Sequence, residues 1–350
     1  MLPYTKAHWS LFIHVNASSF QDSLCQCQNK TLLSQYCSYD YENYLCSLLL
    51  PGSRRNFALA LRAFNVELAQ ICDRSENLAQ AKYRFQFWRE IIEHLFDSSN
   101  DSSPHHTPLE RELKESVSGL VLSKQRFYQL INSRERHFNN VFFPTCKAAE
   151  AYFDDVYVPI HCLLSEAYGF EMTSLNPLLN HFGRAQGMVN MLRSSVLLAQ
   201  HKNVLLFPLD LINQHNLTQE HVLRFLRNDP SMTGTADKPI KKLTCDIASL
   251  GHYHAKRVSH LSSELIMQSF STPTFNSAKL KEKDLQQKDL IQNVLPKLLL
   301  PLLSINKYLD FLGYSADFDL RLNSKYNNDL LPLQLCWNAW WNKIPREPKA

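Results

Sequence analysis

The chain predicts an all-α fold, and three observations carry that reading. Only 8 of its 350 residues are glycine, too few for a protein built on many tight turns, where positive φ favours Gly. Leu, Ala, Gln, Lys and Glu, the strong helix formers, are abundant. Apolar residues recur at helical rather than alternating spacing, and no Val/Ile/Thr alternation is long enough for a sheet.

Residues 1–30 show no periodicity and read as a leader or a loose arm. The first 21 lack Asp and Glu and carry Lys6, His8, His14 and several Ser, which suits a mitochondrial presequence apart from the absence of Arg. A helix is expected from Thr31 to Leu50, ending at Pro51-Gly52. Phe57, Leu61, Phe64, Leu68 and Ile71 then step by four, three, four and three, the stripe of a core helix. Tyr83, Phe87, Ile91 and Leu95 repeat that stripe, with Trp88 and Ile92 widening it. The Ser-, Asn-, Asp- and Pro-rich segment from Asp97 to Pro108 reads as a loop, and His105-His106 within it as solvated.

Further helices are expected over 109–121, 123–138 and 145–168, the last ended by Gly169. Asn176-Pro177 looks like a helix start, leading into a face of Phe182, Ala185, Val189, Leu192 and Val196. Thr218 with Glu220 opens another helix to about Arg227. Asn228 to Pro239 reads as a loop, followed by helices around 240–265 and after Leu280. The most apolar run, Val294 to Leu303, is interrupted by Pro296 and Pro301 and reads as a kinked core helix, too short to cross a membrane. No internal repeat is present.

Composition narrows function only by exclusion. Charged residues make up 20% and the formal net charge is +4, an ordinary globular balance that gives no footprint for nucleic-acid binding. The nine cysteines are scattered, with no Cys-x-x-Cys pair. Cys46, Cys162 and Cys336 have apolar neighbours and read as buried thiols of a reducing compartment. No metal or cofactor site is expected. Asp154-Asp155 reads as a solvated face, and His252, His254 and His260 as packing or surface groups, because their spacing does not suit a shared ligand set.

Several strings carry a resemblance: Asp40-Tyr-Glu-Asn-Tyr-Leu-Cys-Ser-Leu-Leu-Leu-Pro51, Ala63-Phe-Asn-Val-Glu-Leu-Ala-Gln70, Phe85-Gln-Phe-Trp-Arg89 and Gly183-Arg-Ala-Gln-Gly-Met-Val-Asn-Met-Leu-Arg193. Leu206-Phe-Pro-Leu-Asp210, Asp246-Ile-Ala-Ser249 and Leu330-Leu-Pro-Leu-Gln-Leu335 with Trp337 and Trp340 extend it. Over roughly residues 36–342 the chain resembles the squalene/phytoene synthase family and, within it, the branch that serves in assembling respiratory complex I. The resemblance implies one helical isoprenoid-synthase-like domain over residues 31–345. It also implies a mitochondrial place on the matrix side of the inner membrane, and complex I subunits or assembly intermediates as partners. Peripheral contact with the membrane and a lipid or isoprenoid ligand in an apolar tunnel are further implications.

Catalytic members of that family ionise prenyl diphosphates with Mg²⁺ held by carboxylates on two facing helices. On this sequence the first acidic motif falls on Ala69, Gln70 and Asp73, and the second on Ser194 and Leu198. No Asp or Glu occurs anywhere from Met172 to Leu209, so the second helix offers no carboxylate in any register. The resemblance therefore implies a non-catalytic protein; a Mg²⁺-dependent prenyl transferase using other ligands is the alternative. Phe64, Glu67, Arg193 and Ser194 are the expected pocket-lining residues, and Arg193 suits a structural ion pair equally well.

Overall fold

The structure, a computed structural model, describes residues 38–97, 107–138, 142–230, 237–270 and 278–341. The N-terminal arm, residues 31–37 of the first expected helix, Cys25, Cys27, Cys37, His105-His106 and residues 342–345 lie outside them. Among the described residues every regular element is helical and no strand occurs, as glycine scarcity and periodicity predict.

Helix α1 (Tyr41–Leu48) leads through Pro51-Gly52 into α2 (Arg54–Arg74). Phe57, Leu61, Phe64, Leu68 and Ile71 all lie in the core, and so do Ala58, Leu59, Ala60 and Ala63 beside them, so the first half of α2 is buried all round. In α3 (Leu78–Phe96) the face differs from expectation. Tyr83 is 79% exposed and Phe87 and Leu95 are half-buried, while Ala81, Phe85, Trp88, Ile91 and Ile92 are buried. The apolar arc of this helix is wider than one face, and its neighbours select the side: Trp88 meets Phe64 edge-on at 5.1 Å.

Helices α4 (Pro108–Val117) and α5 (Lys124–Arg136) follow, the first capped by the Thr107 hydroxyl, which accepts from the Glu110 N–H. The single helix expected over 145–168 is two, α6 (Cys146–Val156) and α7 (Val158–Tyr168), broken at Tyr157 because Pro159 has no N–H to continue the ladder. Gly169 ends α7 at φ +84°, the left-handed cap that Gly adopts most easily.

The long α8 (Met172–Lys202) begins before Asn176-Pro177 rather than at it. The hydrogen bond that Pro177 cannot donate would reach only into the first turn, so the helix absorbs its loss. Next come α9 (Leu209–Gln214), which periodicity did not reveal, and α10 (Gln219–Leu226), closed by a reciprocal box between Thr218 and His221. Helix α11 (Asp237–Ser269) starts two residues before Pro239, again a first-turn proline rather than part of a loop. Then follow α12 (Ala278–Asn293), α13 (Leu295–Leu298), α14 (Pro301–Asp310), a wide turn at Phe311–Ser315, a tight turn at Leu320–Lys325 and α15 (Leu331–Trp340). The apolar run from Val294 is thus a buried helix broken between α13 and α14. No helix among the described residues is long and apolar enough to cross a membrane. Cys46 and Cys162 are buried, but Cys336 is exposed, because it sits on the side of α15 turned away from the core.

Helix α8 is the central column, packing against α6, α7, α10, α11, α14 and the turn at 320–325. Gly183 and Gly187, one turn apart, explain how closely α6 and α7 approach it. A Cβ at 183 would lie 2.5 Å from a Val158 methyl, and one at 187 would lie 2.2 Å from the Phe153 ring. Arg184, between them, clamps the contact with a bidentate pair to Asp154 at 2.7 and 2.8 Å and reaches Glu150 at 3.6 Å. Asp154 is therefore ion-paired to a neighbouring helix and not simply solvated. Asp155 turns elsewhere, to Arg136 at 3.5 Å.

Gly187→Ala is expected to lower stability by about 1–3 kcal/mol, the usual cost of overpacking a closed contact. Gly313→Ala, whose new Cβ would meet nothing nearer than 3.8 Å, is the control. Denaturant midpoints of the two variants check this, and equal midpoints would remove the glycine argument.

Candidate functional site

A cavity of about 980 Å³ lies between α2 and α8. Residues Arg62, Asn65, Val66, Ala69 and Gln70 form one wall, spaced three, one, three and one along a single face of α2. Gln186, Asn190, Arg193 and Ser194 of α8 form the other. Arg134 of α5, Tyr152 and Phe153 of α6, Tyr157, and Tyr308 of α14 close the space, and Leu331, Pro332 and Leu333 border it at the start of α15. The lining mixes four arginines and several amides with aromatic and aliphatic side chains.

Arg193 organises one end. Its Nη1 donates to Glu42 Oε2 at 2.7 Å, and its Nη2 donates to the Ser304 carbonyl at 3.2 Å and hydroxyl at 3.1 Å. The guanidinium lies over the Tyr308 ring at 4.7 Å and the Tyr326 ring at 5.3 Å. Glu42 also accepts from Asn328 Nδ2 at 2.9 Å and from the Ser304 hydroxyl. Burial acts to raise the Glu42 carboxyl, but the Arg193 charge and these hydrogen bonds outweigh it and hold the group below its ordinary range. Arg193 is raised correspondingly, the Glu42 charge overcoming its burial.

At the other end the balance reverses. Arg62 and Asp40 approach only to 3.9 Å, and burial dominates both, raising the Asp40 carboxyl and lowering Arg62. Arg134 Nη2 donates to Asn65 Oδ1 at 2.7 Å, and among the described residues no carboxylate lies within ion-pair distance of it. The Nε atoms of Arg62 and Arg134 and Gln70 Oε1 are buried without a hydrogen-bond partner.

Of the expected motif positions, Ala69, Gln70 and Ser194 line the cavity. The Ser194 hydroxyl is occupied by the Met191 carbonyl at 3.1 Å. Asp73 is turned to Lys202 at 2.7 Å, and Leu198 is buried in packing. Of the four expected pocket residues, Arg193 and Ser194 are in the lining. Phe64 is instead a core ring against Trp88 and Phe127, and Glu67 lies on α2 outside the lining. Asn65 and Arg62 were findable, one and two turns back on the Ala69 face. Arg134 comes from a separate helix, and no spacing announces it.

A second polar cluster lies on the far side of α8. His181 and His254 approach through their Nδ1 atoms at 2.8 Å, and His254 Nε2 is 3.4 Å from Glu150. His254 is thus a buried, bonded group. His161, also buried, stacks on Phe182 at 4.1 Å and bonds Gln186 at 2.8 Å. Burial, with help from the Arg62 charge, lowers His161 to about 3. Burial and the neighbouring His254 lower His181 to about 4.

Comparison with known proteins assigns this architecture. The family model for squalene/phytoene synthase matches residues 38–240, and the chain belongs to that family. Among full-length relatives it is 31% identical over 302 residues to the rat protein named NADH dehydrogenase (ubiquinone) complex I, assembly factor 6, covering 86% of this chain and 78% of the relative. A Drosophila melanogaster homolog of that factor is 30% identical over 309 residues, covering 87% and 81%. A squalene synthase structure from Alicyclobacillus acidocaldarius shares the fold with a TM-score of 0.59 at 15% identity, covering 81% of this chain and 92% of that one.

The Mg²⁺ implied by the catalytic members does not fit the residues present. Paired carboxylates are needed, whereas those positions hold Ala69, Gln70, Ser194 and Leu198, and Asp73 is engaged by Lys202. Among the described residues no group of three or more His, Cys, Asp or Glu side chains could hold a metal ion.

Two expectations follow from these environments. Arg193→Ala strands a partly buried Glu42 and is expected to cost on the order of 2–3 kcal/mol, less than a fully buried pair because Glu42 keeps 28% exposure. Adding Glu42→Gln should recover part of that loss in a double-mutant cycle; strict additivity would show that the pair does not interact. His161 is depressed below the 6.5 of a free imidazole, so the unfolded chain binds its proton first. Stability is therefore full above about pH 6.5 and falls toward pH 3, by up to about 1.4 kcal/mol per pH unit from this group. Denaturation at stepped pH should show a shallower decline for His161→Gln, and an unchanged slope would remove His161 as a source.

Proposed function

We propose that this chain is a non-catalytic factor for an early stage of assembly of mitochondrial respiratory complex I, acting on the matrix side of the inner membrane with complex I subunits or assembly intermediates as partners. The observation that carries the reading is the identity of about 30%, over more than four-fifths of the chain, to relatives that bear that assembly-factor name. Loss of the motif carboxylates supports the non-catalytic part. A diphosphate leaving group develops charge that Mg²⁺ neutralises in catalysis, and neither α2 nor α8 offers the ligands.

Peripheral contact with the membrane fits α15. Its Leu331, Leu335 and Ala339 pack in a buried cluster with Tyr44, Leu45 and Leu300. Its other face exposes Leu330, Leu333, Trp337 and Trp340, the last at 84%. A helix apolar on both faces calls for cover on each. Tryptophan favours the bilayer interface, and residues 330–346 contain no Asp or Glu but include Lys343 and Arg346, which suits an anionic lipid surface.

Depleting the protein from cells should selectively lower assembled complex I while other respiratory complexes persist; no loss, or equal loss of all, would refute the reading. Purified protein should sediment with anionic phospholipid vesicles, and Trp337→Ser with Trp340→Ser should abolish this. Sedimentation unchanged by those substitutions would exclude α15 as the contact.

A further inference from the structure

We propose that His181 and His254 form a proton-operated clasp that fastens α11 to α8 and α6, closed near neutral pH and opened by acid. The two imidazoles meet nitrogen to nitrogen: their Nδ1 atoms lie 2.8 Å apart, with ring centroids at 5.0 Å. Only one proton fits between two nitrogens at that distance, so one ring must donate and the other accept. The Nε2 of His254 faces a Glu150 carboxylate oxygen at 3.4 Å. That acceptor favours the His254 tautomer with its proton on Nε2, which leaves Nδ1 to accept from His181. Three helices are thereby joined through one line of polar contacts: α8 by His181, α11 by His254 and α6 by Glu150.

Acid adds protons to this line one at a time. A first added proton can sit on Nε2 of His181 and leave the shared hydrogen bond intact. A second must go to Nδ1 of His254, which sets two N–H groups against each other and two cations side by side. The titratable and charged groups that face the pair are Glu150 and Asp154 of α6, Arg184 of α8, and Arg257 and Tyr253 of α11. Two arginines balance the two carboxylates, and Arg184 already holds both oxygens of Asp154 and lies 3.6 Å from Glu150. The surroundings therefore leave the added charge uncompensated.

His254 is only 3% exposed, and burial is the largest influence on both rings, holding them below the 6.5 of a free imidazole. Released from the clasp, both rings return to that value. The open form therefore binds protons first, so the clasp is complete above about pH 6.5 and weakens as pH falls. Opening takes up as many as two protons, and each one steepens the pH dependence by about tenfold per pH unit. Beside the clasp, Gly251 lets α11 lie close to Met188 and Leu309, where an added Cβ would come within 3.4 and 3.6 Å of them. Ala255 and Val258 are buried on the same helix. Opening thus uncovers an apolar strip between α8 and α11.

Hydrogen exchange of the full chain, read by mass spectrometry from pH 7.5 to pH 4.5 and expressed as protection factors, tests the proposal. Peptides of α11 over residues 248–258 are expected to lose protection below pH 6.5 more steeply than about tenfold per pH unit, ahead of peptides from α2. His181→Asn keeps a polar partner for His254 but takes up no proton, and should reduce the slope to about tenfold or less. Glu150→Gln removes the carboxylate that favours protonated His254, and should move the onset to higher pH. Equal slopes and onsets in α11 and α2 would make the opening global and overturn the clasp. A slope unchanged by His181→Asn would overturn it too, since a ring that only packs takes up no protons. Should His181→Asn lower Tm at pH 7.5, Glu150→Gln decides alone: an onset left in place or moved to lower pH overturns the clasp.

Discussion

The close approach of α6 and α7 to α8 is the constraint on which the rest of the molecule depends. It exists because Gly183 and Gly187 present no Cβ to Val158 and Phe153. With that face sunk against two helices, α8 is left to meet α11 on another and to line the cavity on a third. Arg184 sits between the glycines and fastens the same contact by charge, so steric fit and electrostatics act at one place. A family string that reads as a motif, Gly183 to Arg193, is thus first a packing device. From Gln186 onward, at Gly187, Asn190 and Arg193, the same string also lines the cavity.

Within the cavity, the expected motif positions Ala69, Gln70 and Ser194 stand beside several amides and four arginines. The consequence is asymmetric. At one end Arg193, Glu42, Ser304 and the two tyrosines bond one another, although the Arg193 Nε is left without a partner. At the other, Arg62 and Asp40 are only loosely paired, and Arg62, Arg134 and Gln70 each hold a buried atom without a partner. The interior around the cavity is therefore not an inert hydrocarbon core. Core packing would have favoured apolar replacements of similar volume.

Much of the fold was legible in the sequence because it depends on local periodicity. The stripe from Phe57 to Ile71 is buried as read, although burial of α2 extends right round the helix from Phe57 to Phe64. In α3 the arc is broad, and only contact with Phe64 decides that Trp88 goes inward and Tyr83 outward. Prolines misled in both directions. Pro177 and Pro239 sit near helix starts, where a missing donor is tolerated, whereas Pro159 marks a break in what reads as one helix. The absence of carboxylates from α8 was legible, because an empty stretch needs no register. Arg134 was not, because a cation borrowed from a different helix leaves no trace in spacing, and the polar character of the cavity is a property of the assembled walls alone.

The Arg193–Glu42 cluster also sets the order in which the molecule can form. Glu42 is separated from Arg193 by 151 residues, from Ser304 by 262 and from Asn328 by 286. These are contacts of very high sequence separation, the kind that slows folding because a long loop must close before any of them contributes. A chain made from its N-terminus onward produces α1 first and can pack it on Leu59 of α2, but the bonds of Glu42 wait for residues 304–328. The cavity is thus among the last parts of the molecule to close, and its enclosure reports that the chain has reached its final turns.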